Sequence, residues 1–289
     1  MKELIGKKFG NVEFIEYEDR VYGQIYDGGA TVQYELKEVS FGKPIQAVLM
    51  DLDGTTLNSE EFWIYIIEKT VAELIGNSRF SLEQRDIPFV SGFTTTAHLE
   101  YCIKKYCPDR LLRDAMQIYH RLSEEEMAKV GRGEGNENAF RPSEGLKEFL
   151  LELKARKIKI GLATSGLDYK SIPEIVSVFR RLNMGDPLDF YDAIITGGRR
   201  KDVRQYGTIG ELAAKPHPWL YSELAYMGLK IVNPSTVVGI EDSAAGIMSL
   251  RFAGFTAFGL KGGNIKSTGL SCLCYDLVQS LPEILKELS

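Results

Sequence analysis

Ala47-Val48-Leu49-Met50-Asp51-Leu52-Asp53-Gly54-Thr55 is the stretch on which the fold turns. Four apolar residues end on an aspartate, and a second aspartate follows two places on. The pattern returns far downstream in Val237-Val238-Gly239-Ile240-Glu241-Asp242. Short, unbroken apolar runs of this kind read as strands buried on both faces of a parallel sheet. In an open α/β sheet, ligands bind outside the carboxyl ends of the strands, so both acidic pairs are expected at one crevice. Four carboxylates gathered there cannot all stay ionised without a partner, and a hard divalent cation with oxygen ligands, Mg²⁺, answers that need. Either pair alone is equally well explained as strand-end carboxylates capping the next helix.

Working outward, the strands recur between helical patterns. Residues 45–50, 158–163, 193–196, 236–240 and 255–258 are strand candidates with amphipathic stretches between several of them, which predicts an α/β fold with a doubly wound, Rossmann-like parallel sheet. Residues 60–130 carry helical periodicity only, and this block is expected to be an inserted helical cap. Asn58-Ser59 gives it a capping start, and the glycines of Gly131-Arg132-Gly133-Glu134-Gly135-Asn136 mark its return, read equally as a flexible hinge or as a static loop. Ahead of the core, residues 11–40 alternate apolar and polar positions around Gly28-Gly29, as antiparallel strands joined by tight turns do. The expected division is therefore a β-hairpin extension over 1–43, a core over 44–58 and 138–289, and a cap over 59–137. A lone hairpin is marginal in water, so the extension should pack on the main body or make a homodimer with a second copy.

The 289 residues are enough for one substantial core and a smaller lobe. A net charge of −5 with scattered basic residues argues against nucleic acid as a partner, the Arg199-Arg200-Lys201 cluster reading as a solvated loop. The charged start, Met1-Lys2-Glu3-Leu4-Ile5-Gly6-Lys7-Lys8, lacks a secretory signal, and no apolar run is long enough to span a membrane. A cytoplasmic protein is expected. Cys102, Cys107, Cys272 and Cys274 suit a reducing compartment as free thiols; Cys272 and Cys274 read as strand neighbours flanking Leu273, without the partners of a zinc set.

Four segments in order resemble the motifs of the haloacid dehalogenase superfamily, in its phosphatase and β-phosphoglucomutase-like subgroup with a helical cap: Asp51-Leu52-Asp53-Gly54-Thr55, Leu162-Ala163-Thr164-Ser165-Gly166, Ala214-Lys215-Pro216-His217-Pro218 and Gly239-Ile240-Glu241-Asp242-Ser243-Ala244-Ala245-Gly246-Ile247. The resemblance implies a small phosphorylated metabolite as substrate. Asp51 is then the nucleophile that forms an aspartyl-phosphate, and Asp53 the general acid and base. Thr164, with the amides of Ser165 and Gly166, would hold the phosphate, as would Lys215, which also pairs with Asp51. Mg²⁺ would be held by Asp51, Asp53 through its backbone carbonyl, and Asp242, with Glu241 nearby or ligating. Thr55 would support Asp53, or else bond within its own turn. His217, between two prolines, reads as structural. The stretch from Gly166 to Lys215 is long for the family, and the cap segment Val90-Ser91-Gly92-Phe93-Thr94-Thr95-Thr96 lacks the arginine that sugar-phosphate mutases use there. The sequence thus favours a Mg²⁺-dependent phosphatase, against a β-phosphoglucomutase-like isomerase or a non-catalytic binding protein of the same fold.

Overall fold

A computed structural model describes residues 2–27, 29–89, 95–136, 139–198 and 213–288. The arginine-rich stretch 199–212 and the 90–94 part of the cap segment lie outside them.

The chain opens with an antiparallel four-stranded sheet, β1 (Lys8–Phe9), β2 (Val12–Tyr17), β3 (Arg20–Asp27) and β4 (Ala30–Glu35), in that spatial order. The extension is thus two strands larger than a single hairpin. Its inward residues Val12, Phe14, Val21 and Ile25 are buried, so the sheet packs on the main body. β5 (Ala47–Asp51) begins the second sheet, and β6 (Leu57–Asn58) pairs with β7 (Arg141–Pro142) at the two ends of the inserted segment. That segment holds α1 (Glu60–Ile75), α2 (Thr95–Tyr106) and α3 (Leu112–Arg132). α1 forms because Phe62, Ile66, Ile67, Val71 and Leu74 recur on one face, which is buried, and it stops at Gly76 in the left-handed region. At the end of α3, Gly131 is still helical and Gly133 caps the helix at φ 77°. The return is a helix terminus before it is a loop.

The rest alternates as predicted: α4 (Leu146–Ala155), β8 (Lys159–Ala163), α5 (Asp168–Leu182), α6 (Pro187–Phe190), β9 (Ala193–Ile195), α7 (Trp219–Glu223), β10 (Val237–Glu241), α8 (Ala244–Phe252), β11 (Thr256–Leu260), β12 (Asp276–Val278) and α9 (Leu281–Glu287). Six parallel strands stand in the order β12-β11-β10-β5-β8-β9. The chain runs outward from β5 in one direction, then restarts at β10 on the other side, so the switch point lies between β5 and β10. Every residue of β5, β10 and β11 is buried, because helices cover both faces. Val48, Met50, Ile160 and Ile240 face a cluster shared with α1, α4, α5 and α9, whereas Ala47, Leu49 and Val237 face α7, α8 and the N-terminal sheet. One strand lies away from its expected place. Residues 271–273 form a 3₁₀ turn, and the strand comes at β12, so Cys272 and Cys274 are not strand neighbours.

Candidate active site

Register brings the motifs together. Met50 pairs with Ile240 across β5 and β10, and Asp51 pairs with Ala163 across β5 and β8, so Asp51, Thr164 and Glu241 emerge side by side at the carboxyl edge. Gly54 then turns the chain at φ 82°; a Cβ there would meet Asp242 Oδ2 at 2.2 Å, so only glycine lets the first and fourth motifs approach this closely. A Cβ on Gly246 would likewise collide with the Glu241 carboxylate, at 1.8 Å.

At the centre, the Lys215 ammonium donates to Asp51 Oδ1 and, at 2.6 Å, to Glu241 Oε1. Its side chain is 7% exposed and that of Asp51 9%. Burial alone would lower the Lys215 ammonium, but Asp51 and Glu241 outweigh it and hold it above its ordinary range. The carboxylates feel the opposite strain. Burial, then the Glu241 charge, push Asp51 well up, with Lys215 pulling it back. The same two causes push Asp242 up to about 7. Carboxylate oxygens of Asp51, Glu241 and Asp242 lie within 4.8 Å of one another. Three acids facing one ammonium leave a negative excess in a hard-oxygen donor set, and a divalent cation fits such a set. Glu241 is wholly buried and its oxygens already have partners: the Tyr221 hydroxyl donates to Oε1 at 2.6 Å, and the Ser243 hydroxyl to Oε2 at 3.0 Å.

Asp53 stands apart from that cluster, opening on the cavity. The Ser59 hydroxyl donates to its Oδ1 at 2.5 Å. Thr55 does not hold it: the buried Thr55 hydroxyl has no hydrogen-bond partner among the described residues. Enclosure raises the Asp53 carboxyl, against the pull of Ser59, Lys215 and Lys170. Thr164 is buried and accepts the Gly166 amide on its Oγ1 at 2.9 Å; Ser165 Oγ accepts the Lys215 amide at 3.3 Å, tying the second motif to the third. His217 is structural, as expected. Its Nδ1 meets the Tyr34 hydroxyl of β4 at 2.9 Å, and its carbonyl accepts from Ser249 at 2.6 Å.

The cavity above this edge measures about 880 Å³. Its far wall is helical and includes Trp63 of α1, His98 of α2, Tyr119 of α3, and Lys170 and Glu174 of α5. None of these carries a motif signal, and neither do Ser59 and Tyr221. The sequence signals nearest to them are the capping position of Ser59 and the helical periodicity of the rest. Among the described residues, no helix is long and apolar enough to cross a membrane.

Comparison with known proteins agrees with the geometry. The family model described as haloacid dehalogenase-like hydrolase matches residues 48–260. A β-phosphoglucomutase of Bacillus subtilis (strain 168) is 26% identical over 239 residues, covering 76% of this chain and 84% of that protein. The crystal structure of a β-phosphoglucomutase from Clostridium difficile superposes with a TM-score of 0.55 at 20% identity, over 84% of this chain and 96% of that one. That of a phosphoglycolate phosphatase predicted in Haemophilus somnus 129pt reaches 0.62 at 16% identity, over 86% and 99%. At such identities the two structures speak for the fold, and it is the match across residues 48–260 that places this chain in the haloacid dehalogenase-like hydrolase family.

Proposed function

We propose that the protein is a Mg²⁺-dependent phosphatase of small phosphomonoesters that works through an aspartyl-phosphate on Asp51. The observation that carries this reading is the lysine bridge: Lys215 joins Asp51 to Glu241 next to Asp53 and Asp242, which line the cavity. Asp51 is held by the ammonium on one oxygen, which leaves the other for attack on phosphorus. As the Asp51 O–P bond forms, the bond from phosphorus to the ester oxygen breaks, and Asp53 delivers a proton to that leaving oxygen. Water then attacks phosphorus, Asp53 takes its proton, and the Asp51 O–P bond breaks to release inorganic phosphate. Lys215, the Thr164 hydroxyl and the Ser165 amide would share the charge on the phosphoryl oxygens, and the Gly166 amide, which donates to Thr164 Oγ1, would orient that hydroxyl. Asp51, Asp242 and the Asp53 carbonyl, with Glu241 behind them, would hold Mg²⁺, which supplies charge neutralisation between an anionic nucleophile and an anionic phosphate. In this reading α1, α2 and α3 form the cap over the site.

The mutase reading shares this core and is favoured by the B. subtilis relative. A mutase must grip its substrate's second phosphate in two orientations, a task for guanidinium groups. The described residues lining the cavity include one ammonium, Lys170, and no arginine. Lys105 of α2 is engaged by Asp86 and Glu83. Product analysis by phosphorus NMR tests the choice: inorganic phosphate is expected to accumulate from a hexose 1-phosphate, and hexose 6-phosphate with little free phosphate would overturn the hydrolase in favour of the mutase.

A further inference from the structure

Lys170 is the one cation among the described residues of the cavity wall, and it is held in an unusual way for a lysine with no structural duty. Its ammonium lies 4.2 Å from the centre of the Trp63 ring and 5.0 Å from that of Tyr119, and it donates to the Tyr119 hydroxyl at 3.3 Å. A flexible four-carbon side chain that only sought water would extend outward. Here it is fixed between residues of α1 and α3, and those residues are themselves fixed. Tyr119 is 2% exposed, and the Trp63 indole donates to Glu174 Oε1 at 3.1 Å, with Glu174 1% exposed. No carboxylate forms an ion pair with Lys170 among the described residues, and two of its three N–H donors have no protein acceptor there. Its charge nonetheless reaches Asp53 across the cavity. A half-buried, oriented ammonium with no ion-pair partner among the described residues is a binding site for an anion.

Building on the phosphatase reading, we infer that Lys170 is a specificity-determining residue that receives an anionic group, carboxylate or phosphate, on the leaving-group half of the substrate. The phosphoryl group to be transferred sits at Asp51, so a preferred substrate carries a second negative charge beyond its ester oxygen. Trp63 and Tyr119 shape the slot and position the ammonium, while burial, then the Asp53 charge, push the Glu174 carboxyl on the same wall well above its ordinary range, which weakens its opposition to an anion there. A single ammonium without a guanidinium fork suffices to recognise one anion.

Binding separates this inference from turnover. Asp51→Asn protein in Mg²⁺ is titrated calorimetrically with two matched pairs: 3-phosphoglycerate against glycerol 3-phosphate, which differ by a carboxylate, and fructose 1,6-bisphosphate against fructose 6-phosphate, which differ by a phosphate. In at least one pair the extra anion should tighten binding about tenfold. The pair that discriminates identifies the anion. Adding Lys170→Gln should reduce the ratio to within about twofold, and Lys170→Arg should retain most of it. Because the readout is a ratio within one protein, a loss of folded material does not imitate the effect. No discrimination in either pair, including no binding at all, overturns the inference, as does discrimination that survives Lys170→Gln. Release of phosphate from p-nitrophenyl phosphate by the wild-type protein reports separately on the phosphatase reading. Discrimination without phosphate release would therefore sink that reading and leave the anion site standing.

Discussion

Two buried carboxylate centres, one at the sheet edge and one under the inserted helices, are built in opposite ways. At the sheet edge, Asp51, Glu241 and Asp242 share one lysine, and Asp51 and Asp242 are pushed above the ordinary carboxylate range. Between the 3₁₀ segment Gln84–Phe89 and α2, Asp86 is equally enclosed, yet it lies well below that range. Burial would raise it too, but Lys105, Tyr101 and Tyr106 donate to its oxygens and the Glu83 amide adds a fourth bond at 3.0 Å, which outweighs the desolvation. A carboxylate whose acceptors are all filled stabilises the fold and has little left to offer a ligand. Carboxylates crowded round too few donors are costly until something binds, and that is the mark of a working site.

The sharpest way to break the comparison is to remove the nucleophile. Asp51→Asn keeps the shape of the side chain, so its circular dichroism and unfolding profile should stay close to wild type. Phosphate release should fall by about 10³-fold or more, since the amide cannot form the covalent intermediate. Turnover near the wild-type rate would show that the crowding at Asp51 serves something else. Lys215→Met attacks the same centre from its cationic side. It leaves buried acids without their counter-charge, and urea unfolding in chelator should reveal a loss of about 3 kcal/mol, alongside the loss of activity. A stable, unchanged protein would mean that the acids relax by taking up protons at no net cost.

Much of the sheet edge was legible in the sequence, because Asp51 and Glu241 end strands, Asp53, Thr164 and Asp242 follow strands by one or two places, and the strands themselves announce their ends. The apolar runs before Asp51 and Glu241 fixed where the carboxylates emerge, and Gly54 marked the close approach. The helical wall was not legible. Trp63, Tyr119, Lys170 and Glu174 come from three helices, and each reads locally as an ordinary position on an amphipathic face; only the packing of α5 on α3 and of α3 on α1 makes them neighbours. Asp86 escaped for the same reason, its partners lying 15 to 20 residues downstream on α2. β12, with three residues, is too short to carry a period, and the turn before it looked more strand-like than the strand. The N-terminal sheet was expected as an antiparallel extension, but nothing in its alternation foretells that Tyr34 would meet His217 beside the lysine motif.

Adding a cation should relieve one centre and leave the other untouched. With Mg²⁺ at about a hundred times its dissociation constant, the unfolding free energy should rise by roughly 3 kcal/mol, visible as a shift in melting temperature. Asp242→Asn should shrink that shift, and Asp86→Asn should not. Equal shifts in the two variants would place the cation elsewhere. Ca²⁺, with its looser coordination, should support phosphate release poorly even where it stabilises.

The smallest effect expected is at Asp86, and its pH dependence identifies it. A carboxyl whose folded value is depressed takes up its proton more readily in the unfolded chain, so it stabilises the fold above the unfolded value, near 4, and loses that contribution as the pH falls towards the folded value. Asp86→Asn cannot titrate and also presents an amide to the donors of Lys105. At pH 7 the variant should therefore be less stable than the wild type by about 2 kcal/mol. By pH 3 the unfolded wild-type chain holds its proton most of the time, so the gap should narrow. The comparison is made by urea unfolding of both proteins from pH 7 down to pH 3 at fixed ionic strength. A gap that stays constant with pH would mean that Asp86 contributes through shape and neutral hydrogen bonds alone, and the contrast between a satisfied and a strained carboxylate would lose its electrostatic basis.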